Sequence, residues 1–440
     1  MGNRKQKRAR FVEDRISGMP DDVLVSILSL ITMKEAGRTS VLSRRWQKLW
    51  TFVPNLNFDG QERLYYLEDH IGARGFRRLH RIARTNYVKW VNRVLELHRT
   101  PAIDQFRVFF DLTEDYRRDI DNWINFAMEK RVQRLELSFD YCSLINPYPF
   151  PSLYQTRGIP SPNSLRALIL KFLNVSGEVL EYFICNCPFL DRLWVEGSET
   201  LVNLKVAGPL LRLKHLEISH CLKLENLEIS AKNLVSFVYF GPRITMPFKY
   251  VPNLVEMSLE GNYFEYSIYN FCEFSSYLPR LETLVLDLSK VEKKMKLLEF
   301  HTLSNLKQLE LIATEKSGNA SLLWLTSLLK AAPVLCRLTL KLHMYGSPGP
   351  RKVQKSPKCL HHCLKQVEMV GFVGRTIDVK YVKYLVKNAV ELEKVIIDPR
   401  CPLMVGSPLV YEEIEGMQAA RECAKMLGRE LSLVDKLIVL

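Results

Sequence analysis

The chain of 440 residues contains no apolar run approaching the roughly 18 residues that a membrane-spanning helix needs. An α-helical membrane protein is therefore not expected. Its first ten residues are basic rather than apolar and the next stretch is acidic and amphipathic, so no secretory signal is expected either. The Met-Gly start carries Gln6 where a myristoylation signal carries Ser or Thr. Cysteines number ten but lie scattered. Cys185 and Cys187 sit in a helix-end pattern, and Cys359 and Cys363 flank His361 and His362 without the second ligand pair that a zinc site uses. Reduced thiols in a reducing compartment are the reading, with no metal and no cofactor. Catalytic signatures are also missing: there is no Gly-x-Ser-x-Gly, no phosphate-binding glycine loop and no His-Glu-x-x-His. His343, His361 and His362 fall near one strand pair and read as surface or structural, and Glu412 and Glu413 read as a solvated helix start. No catalytic residue is expected, and the chain is read as not an enzyme by itself.

Acidic residues are outnumbered, 48 against 62 Lys and Arg, which leaves a net charge of +14. Part of the excess lies in Arg4, Lys5, Lys7, Arg8 and Arg10, and more in Arg74, Arg77, Arg78, Arg81 and Arg84. A solvated arm and linker, a nuclear import signal and phosphate contact all remain open as readings. No nucleic-acid-reading motif accompanies the charge, so nucleic acid is not the expected partner. With 47% hydrophobic and 25% charged residues the chain is globular.

What is present is one pattern, Leu-x-x-Leu-x-Leu, restarted thirteen times, at Val132, Leu165, Leu190, Leu201, Leu213, Leu224, Leu234, Leu254, Leu281, Leu306, Leu335, Leu364 and Leu392. In Leu-x-Leu the two apolar residues share one face of a strand. One strand cannot bury that edge alone, so the repeats predict a stacked, leucine-rich solenoid with a parallel sheet. Spacings of 25–29 residues leave room for a helix after each strand. Spacings of 10–12, between Leu190 and Leu234, leave room only for strand and turn and predict a thin section. Cys187-Pro188 and Ala332-Pro333 mark helix ends ahead of strands. The proline-rich loop 146–162 accounts for the long spacing of 33.

Ahead of the repeats, residues 14–59 have their own logic. Asp21 is a plausible N-cap, and Val23, Leu24, Ile27, Leu28 and Ile31 recur at helical spacing. After a break at 32–35, helices are expected over 36–42 and 43–49. A unit this small is marginal alone, which points to completion by a partner. From residue 86 a helix and a strand over 106–110 read as degenerate first repeats.

The run IxxMPDDVLxxILSLITMKEAGRTSVLSRRWQKLW resembles an F-box of the kind found in plant F-box proteins, with Met19 in place of the usual Leu. The segment 363–399, with Gly371 and Gly374 at a turn and a helix face of Val379, Val382, Leu385 and Val386, resembles the FBD region that follows leucine-rich repeats in many such proteins. The resemblance implies that Pro20, Leu24, Ile27, Leu28, Val41, Leu42 and Trp46 lie at or near the surface that docks a Skp-family adaptor, and through it cullin and a RING protein. It implies a substrate-recognition subunit of an SCF-type E3 ubiquitin ligase, intracellular in nucleus, cytoplasm or both. A leucine-rich scaffold without ubiquitin transfer is the alternative.

The expected fold is α/β: a small N-terminal helical F-box followed by an irregular leucine-rich-repeat solenoid with a curved parallel sheet. The expected domains are a disordered basic arm (1–12), the F-box (13–59), a linker (60–85), the repeats (86–362) and an FBD-like region with a C-terminal cap (363–440). The middle residue of each Leu-x-Leu is expected on the concave face. Glu136, an exposed Trp194, Lys205, Glu217, Glu228 and Glu310 are the candidate contacts to a target protein.

Overall fold

In the computed structural model the described residues are 16, 18–61, 73–139, 146–152, 163–208, 211–242, 244, 248–260, 278–287, 302–314, 318–343, 359–402, 416–433 and 435–440. The basic arm, residues 411–413 and most of the proline-rich loop lie outside them. The chain divides into two units, residues 1–149 with 157–167, and residues 150–156 with 168–440. Among the described residues no helix is long and apolar enough to cross a membrane.

The first unit opens with three short helices, α1 (Asp21–Leu28), α2 (Met33–Arg38) and α3 (Trp46–Leu49). Pro20 occupies the N-cap of α1, so Asp21 is the first helical residue and not the cap. The Asp21 carboxylate instead accepts a hydrogen bond from Arg45 Nε at 2.7 Å, which ties α1 to the start of α3. The expected break at 32–35 is itself a helix start. Thr32 Oγ1 accepts from the Glu35 N–H, and the Glu35 carboxylate accepts from the Thr32 N–H at 3.0 Å. This reciprocal capping box begins α2 three residues earlier than the apolar spacing indicates.

Strand β1 (Asn55–Asp59) then pairs in parallel with β2 (Gln105–Phe109), and β2 with β3 (Arg134–Ser138). The connections are α4 (Ala73–Leu97) and α5 (Arg117–Glu129). Helix α4 starts inside the stretch 60–85 expected as a linker. His80, Ala83, Tyr87, Val88 and Val91 are buried along one side of it, at the three- and four-residue steps of a helix face. The arginines between them hid the pattern. Asp111, fully buried, holds α4 in place. Its carboxylate lies 3.1 Å from His80 Nδ1 and 2.5 Å from an Arg84 terminal nitrogen, and Arg84 Nε donates to its carbonyl at 2.9 Å.

Every remaining restart of the pattern lies two residues ahead of a strand. These are β4 (Ala167–Lys171), β5 (Arg192–Glu196), β6 (Asn203–Ala207), β7 (His215–Ser219), β8 (Asn226–Ser230), β9 (Ser236–Phe240), β11 (Glu256–Glu260), β12 (Thr283–Asp287), β13 (Gln308–Thr314), β14 (Arg337–His343), β15 (Gln366–Val370) and β16 (Lys394–Asp398). Two further strands, β10 (Phe248–Tyr250) and β17 (Leu437–Val439), lie outside the pattern. The strands do not form one spine. The large parallel sheet runs β4-β5-β7-β9-β11-β12-β13-β14-β15-β16-β17, while β6, β8 and β10 form a second sheet in the order β10-β8-β6. The spacings of 10–12 are therefore half-coils. Strands β5, β7, β9 and β11 start at 192, 215, 236 and 256, that is 23, 21 and 20 residues apart, with a second-sheet strand inside each interval.

Longer intervals carry helices, α6 (Gly177–Asn186), α7 (Gly318–Ala331), α8 (Thr376–Asn388) and α9 (Met417–Glu430). α6 and α7 end just before Cys187-Pro188 and Ala332-Pro333. A recurring turn enters the strands: the N–H of Leu190, Leu224, Leu234, Leu254, Leu306 and Leu335 each bonds the carbonyl three residues back. Asparagines just before the leucines add rungs. Asn233, Asn253 and Asn305 donate to the carbonyls of Leu211, Lys232 and Pro279 in the preceding coil.

Gly371 and Gly374 adopt φ of +82° and +79°, as the turn after β15 requires. On α8, Val382 and Leu385 are buried as expected and Val379 and Val386 are half-buried. The helix also buries Tyr381 and Asp378, whose carboxylate accepts the N–H groups of Val373 and Arg375. The C-terminal stretch adds β17 to β16. His361 is buried, with Nε2 donating to the Ala332 carbonyl at 2.8 Å and Nδ1 accepting from the Cys363 N–H. Among the described residues no three His, Cys, Asp or Glu are placed to hold a metal.

Removing the Asp111 carboxylate strands the Arg84 and His80 cations or dipoles in the interior. Asp111→Ala is expected to destabilise the first unit by about 3–5 kcal/mol, read as a drop in its urea unfolding midpoint, whereas Arg93→Ala, an exposed pair on the same helix, shifts it by about 0–1 kcal/mol.

Candidate functional site

Helix α1 is apolar on two sides, and the structure separates their roles. Leu24 and Leu28, one turn apart, are buried with Met33, Ala36, Trp46, Leu49 and Val53. Val23, Ile27, Leu30 and Ile31 form a second stripe that stays exposed, Ile27 by 43% and Leu30 by 85%. Beyond α2, on the 3-10 turn Thr39–Val41 and just after it, Val41 is 87% and Leu42 64% exposed. Of the seven expected docking residues, Pro20, Ile27, Val41 and Leu42 are therefore on the surface, and Leu24, Leu28 and Trp46 belong to the core. Ile16, Val23, Leu30 and Ile31 are exposed apolar residues not among the seven. For Val23 the signal is that α1 carries more apolar residues than the one face Leu24 and Leu28 can bury, so a second apolar side is left to be covered.

The β1–β3 face of the first unit carries Asp59, Arg107 and Glu136. Arg107 bonds Asp59 at 2.7 Å and Glu136 at 3.0 Å, and Arg134 takes the second Glu136 oxygen at 2.9 Å. Glu136, 8% exposed, thus has both oxygens satisfied internally.

In the large sheet of the second unit, in-register pairing aligns the outward residues into rows. One row runs Ile169, Trp194, Glu217, Val238, Ser258, Val285, Glu310; the next runs Lys171, Glu196, Ser219, Phe240, Glu260, Asp287, Ile312. Ile169 is buried. Trp194 is half-buried rather than exposed, because Lys171 Nζ sits 3.1 Å from its ring centroid and 3.3 Å from Glu196. Glu310 pairs with Lys341 at 2.5 Å. Lys205 and Glu228 are elsewhere: they lie on β6 and β8 of the second sheet, paired to each other at 3.5 Å, with Lys249 on Glu228 at 2.9 Å. The structure therefore groups Trp194, Glu217 and Glu310 on one face of the large sheet and places Lys205 and Glu228 on the second sheet, while Glu136 belongs to the first unit.

Burial pushes the Glu217 carboxyl up to about 7; Glu196 and Glu260 push in the same direction, against the pull of Lys171 and the Ser219 hydroxyl. Glu260 is also raised, by burial and then by Asp287 and Glu310, against Ser258 and Lys341. A carboxyl raised in the fold destabilises it once ionised. For Glu217 the cost is absent below the ordinary value of 4.5, grows as pH rises, and is complete above about 7. Glu217→Gln is accordingly expected to raise the melting temperature above that of the wild type at pH 8 and to leave the two alike near pH 4.5, a difference checked by paired melts across that range.

Comparison with known proteins follows the same division. Residues 16–58 match the F-box domain model, and residues 151–436, well over half the chain, match the model described as At1g61320/AtMIF1, LRR domain. The chain is 27% identical to F-box/FBD/LRR-repeat protein At5g53840 of Arabidopsis thaliana over 87% of both chains. It is 25% identical to FBD-associated F-box protein At5g38590 and 27% identical to FBD-associated F-box protein At4g10400, both of Arabidopsis thaliana. These two alignments cover 93% of this chain and 100% and 98% of the relatives. An F-box whose core closes around Leu24, Leu28 and Trp46, leucine-rich strands in parallel and a strand–glycine turn–helix–strand ending place the chain in a family: it belongs to the plant F-box/FBD/LRR-repeat proteins.

Proposed function

We propose that this protein is the substrate-recognition subunit of an SCF-type E3 ubiquitin ligase. The observation that carries the proposal is the apolar stripe left open beside a closed core: Ile27, Leu30, Ile31, Val41 and Leu42 are exposed although Leu24, Leu28 and Trp46 already fill the interior. Such a surface supports a protein partner, and F-box domains generally bind Skp-type adaptors. Through the adaptor, cullin and a RING protein would carry the conjugating enzyme. The repeats would hold the target, with Trp194, Glu217 and Glu310 as first candidates and Glu136, Lys205 and Glu228 as separate ones. F-box/LRR proteins are typically non-catalytic adaptors, and the role left to this chain is proximity. Holding a target lysine near the charged thioester replaces a bimolecular encounter with an intramolecular one.

The test is co-purification with a plant Skp-family adaptor. A one-to-one complex is expected. The double variant Ile27→Glu, Val41→Glu should weaken it by at least about 100-fold without lowering the melting temperature, because both side chains are exposed. Leu24→Ala should instead lose about 2–5 kcal/mol of stability and lose the adaptor only through unfolding. Folded wild-type protein that fails to capture the adaptor at micromolar concentration would leave a leucine-rich scaffold without ubiquitin transfer.

A further inference from the structure

We propose that the outward face of the large sheet from β5 to β13 docks an extended, lysine- and arginine-bearing segment of the target protein, an inference that specifies the partner of the receptor reading above and rests on it. The chain as a whole is strongly cationic, at +14. On this face the sign reverses. The two outward rows of the six strands β5, β7, β9, β11, β12 and β13 carry Glu196, Glu217, Glu260, Asp287 and Glu310 and no Lys or Arg. Among the described residues of these strands and their neighbours β4 and β14, cations flank the two rows: Arg192 one row earlier on β5, Lys171 on β4 and Lys341 on β14, the last two each paired with a carboxylate.

Between the borders two carboxylates have no cation partner among the described residues. Glu217 meets only the Ser219 hydroxyl, at 3.3 Å, and Glu260 only that of Ser258, at 2.9 Å. Strand β9 lies between them and offers an apolar floor of Val238 and Phe240, the latter stacked on His220 with ring centroids 4.2 Å apart. A long cationic side chain matches this arrangement: its methylenes cover the floor while its head reaches a carboxylate. Lys171, with its ammonium over the Trp194 ring and 3.3 Å from Glu196, already makes an intramolecular cation contact on this face.

The dimensions fit an extended segment. From β5 to β13 there are five strand spacings, about 24 Å at about 4.8 Å each, which an extended chain spans in about seven residues at 3.3 Å per residue. Long-range repulsion from the rest of the chain disfavours a basic ligand anywhere else, so capture of one must be local.

Glu217 supplies a second signature. Lys171 of β4, Glu196 of β5 and Glu260 of β11 face it, His220 stands behind Glu196, and neither Val238 nor Phe240 of β9 titrates. An incoming cation requires Glu217 ionised. Affinity for the basic segment therefore rises with pH through the region near 7, by up to about tenfold between pH 6 and pH 8.

The experiment titrates the full chain, with and without bound adaptor, against fluorescein-labelled eight-residue peptides carrying four Lys or Arg among Gly and Ser. The same peptides with Glu in those places serve as comparison. Basic peptides should bind at least about tenfold more tightly than acidic ones. The Glu217→Gln, Glu260→Gln variant should lose at least about tenfold and flatten the pH dependence. Glu282→Gln, Glu393→Gln, which removes equal charge outside these rows, should lose less than about twofold. Equal binding of acidic peptides, an equal loss in the control variant, or adaptor capture without any basic-peptide binding overturns the proposal. Basic-peptide binding lost in the first variant by a chain that captures no adaptor upholds the docking face and sinks the ligase reading instead.

Discussion

The structure depends on one constraint: a strand whose buried edge is two leucines wide has no core until a neighbour stacks on it. In β7 the inward residues Leu216 and Ile218 are almost fully buried, yet both belong to one five-residue strand. Each such side chain contributes about 1.5–3 kcal/mol when covered, and the cover comes from the adjacent coils and from what crosses between them. Parallel neighbours also need a crossover of about a dozen residues or more. Interval length therefore decides the architecture of each coil. The intervals of 25, 29 and 28 residues that begin at Leu165, Leu306 and Leu364 hold the helices α6, α7 and α8. Intervals of 20–23 hold a strand of the second sheet instead, and that strand closes the far side of the same core: Leu204, Val206, Leu227 and Ile229 are all buried.

This explains how much of the fold was legible. The thirteen restarts located thirteen strands because the inward leucines are what the strands exist to bury. The assignment of Leu201 and Leu224 to one spine failed although the chain carried the correction. A five-residue strand followed by a turn cannot return in parallel beside its predecessor, so spacings of 10–12 demand a second sheet. That misplacement carried Lys205 and Glu228 to the wrong surface with it. The stretch 73–85 escaped for a different reason. Its buried positions include His80 and Ala83, which count weakly as apolar, and the energy that fixes it comes from Asp111, an ion-pair partner beyond any local window. Long-range polar contacts leave no periodicity to read, and the Asn233, Asn253 and Asn305 rungs are another case.

Stacking also has an electrical consequence. In-register pairing places the third and the fifth residue of each strand in rows with neighbours one strand spacing away, so charges on successive repeats lie close to one another. At the β1–β3 face the conflict is resolved by alternation, Asp59–Arg107–Glu136–Arg134. Between β5 and β13 it is not resolved: burial raises Glu217 and Glu260, and the neighbouring carboxylates push in the same direction. Glutamine at 217 would relieve the fold. A carboxylate held there costs stability that a bound cation returns, which is the familiar opposition between a site's stability and its use.

The F-box segment meets the same problem of cover in miniature. Some forty residues make a marginal core, and a partner was the expected remedy. The chain supplies part of it first. Val53, Leu56 and Phe58 are fully buried, the N–H groups of Arg99 and Asp104 bond the carbonyls of Thr51 and Pro54, and His98 Nε2 reaches the Val53 carbonyl at 3.0 Å. β1 is at once the end of the F-box and the first strand of the β1–β3 sheet. With the interior closed from that side, the remaining exposed apolar residues of α1 and of residues 41–42 are not an unfinished core. Ile27 and Leu28 are adjacent, isomeric in size and equally hydrophobic, and sequence spacing alone gives them one role. The fold gives them two: Leu28 holds the helices together, and Ile27 is free to be buried by another chain.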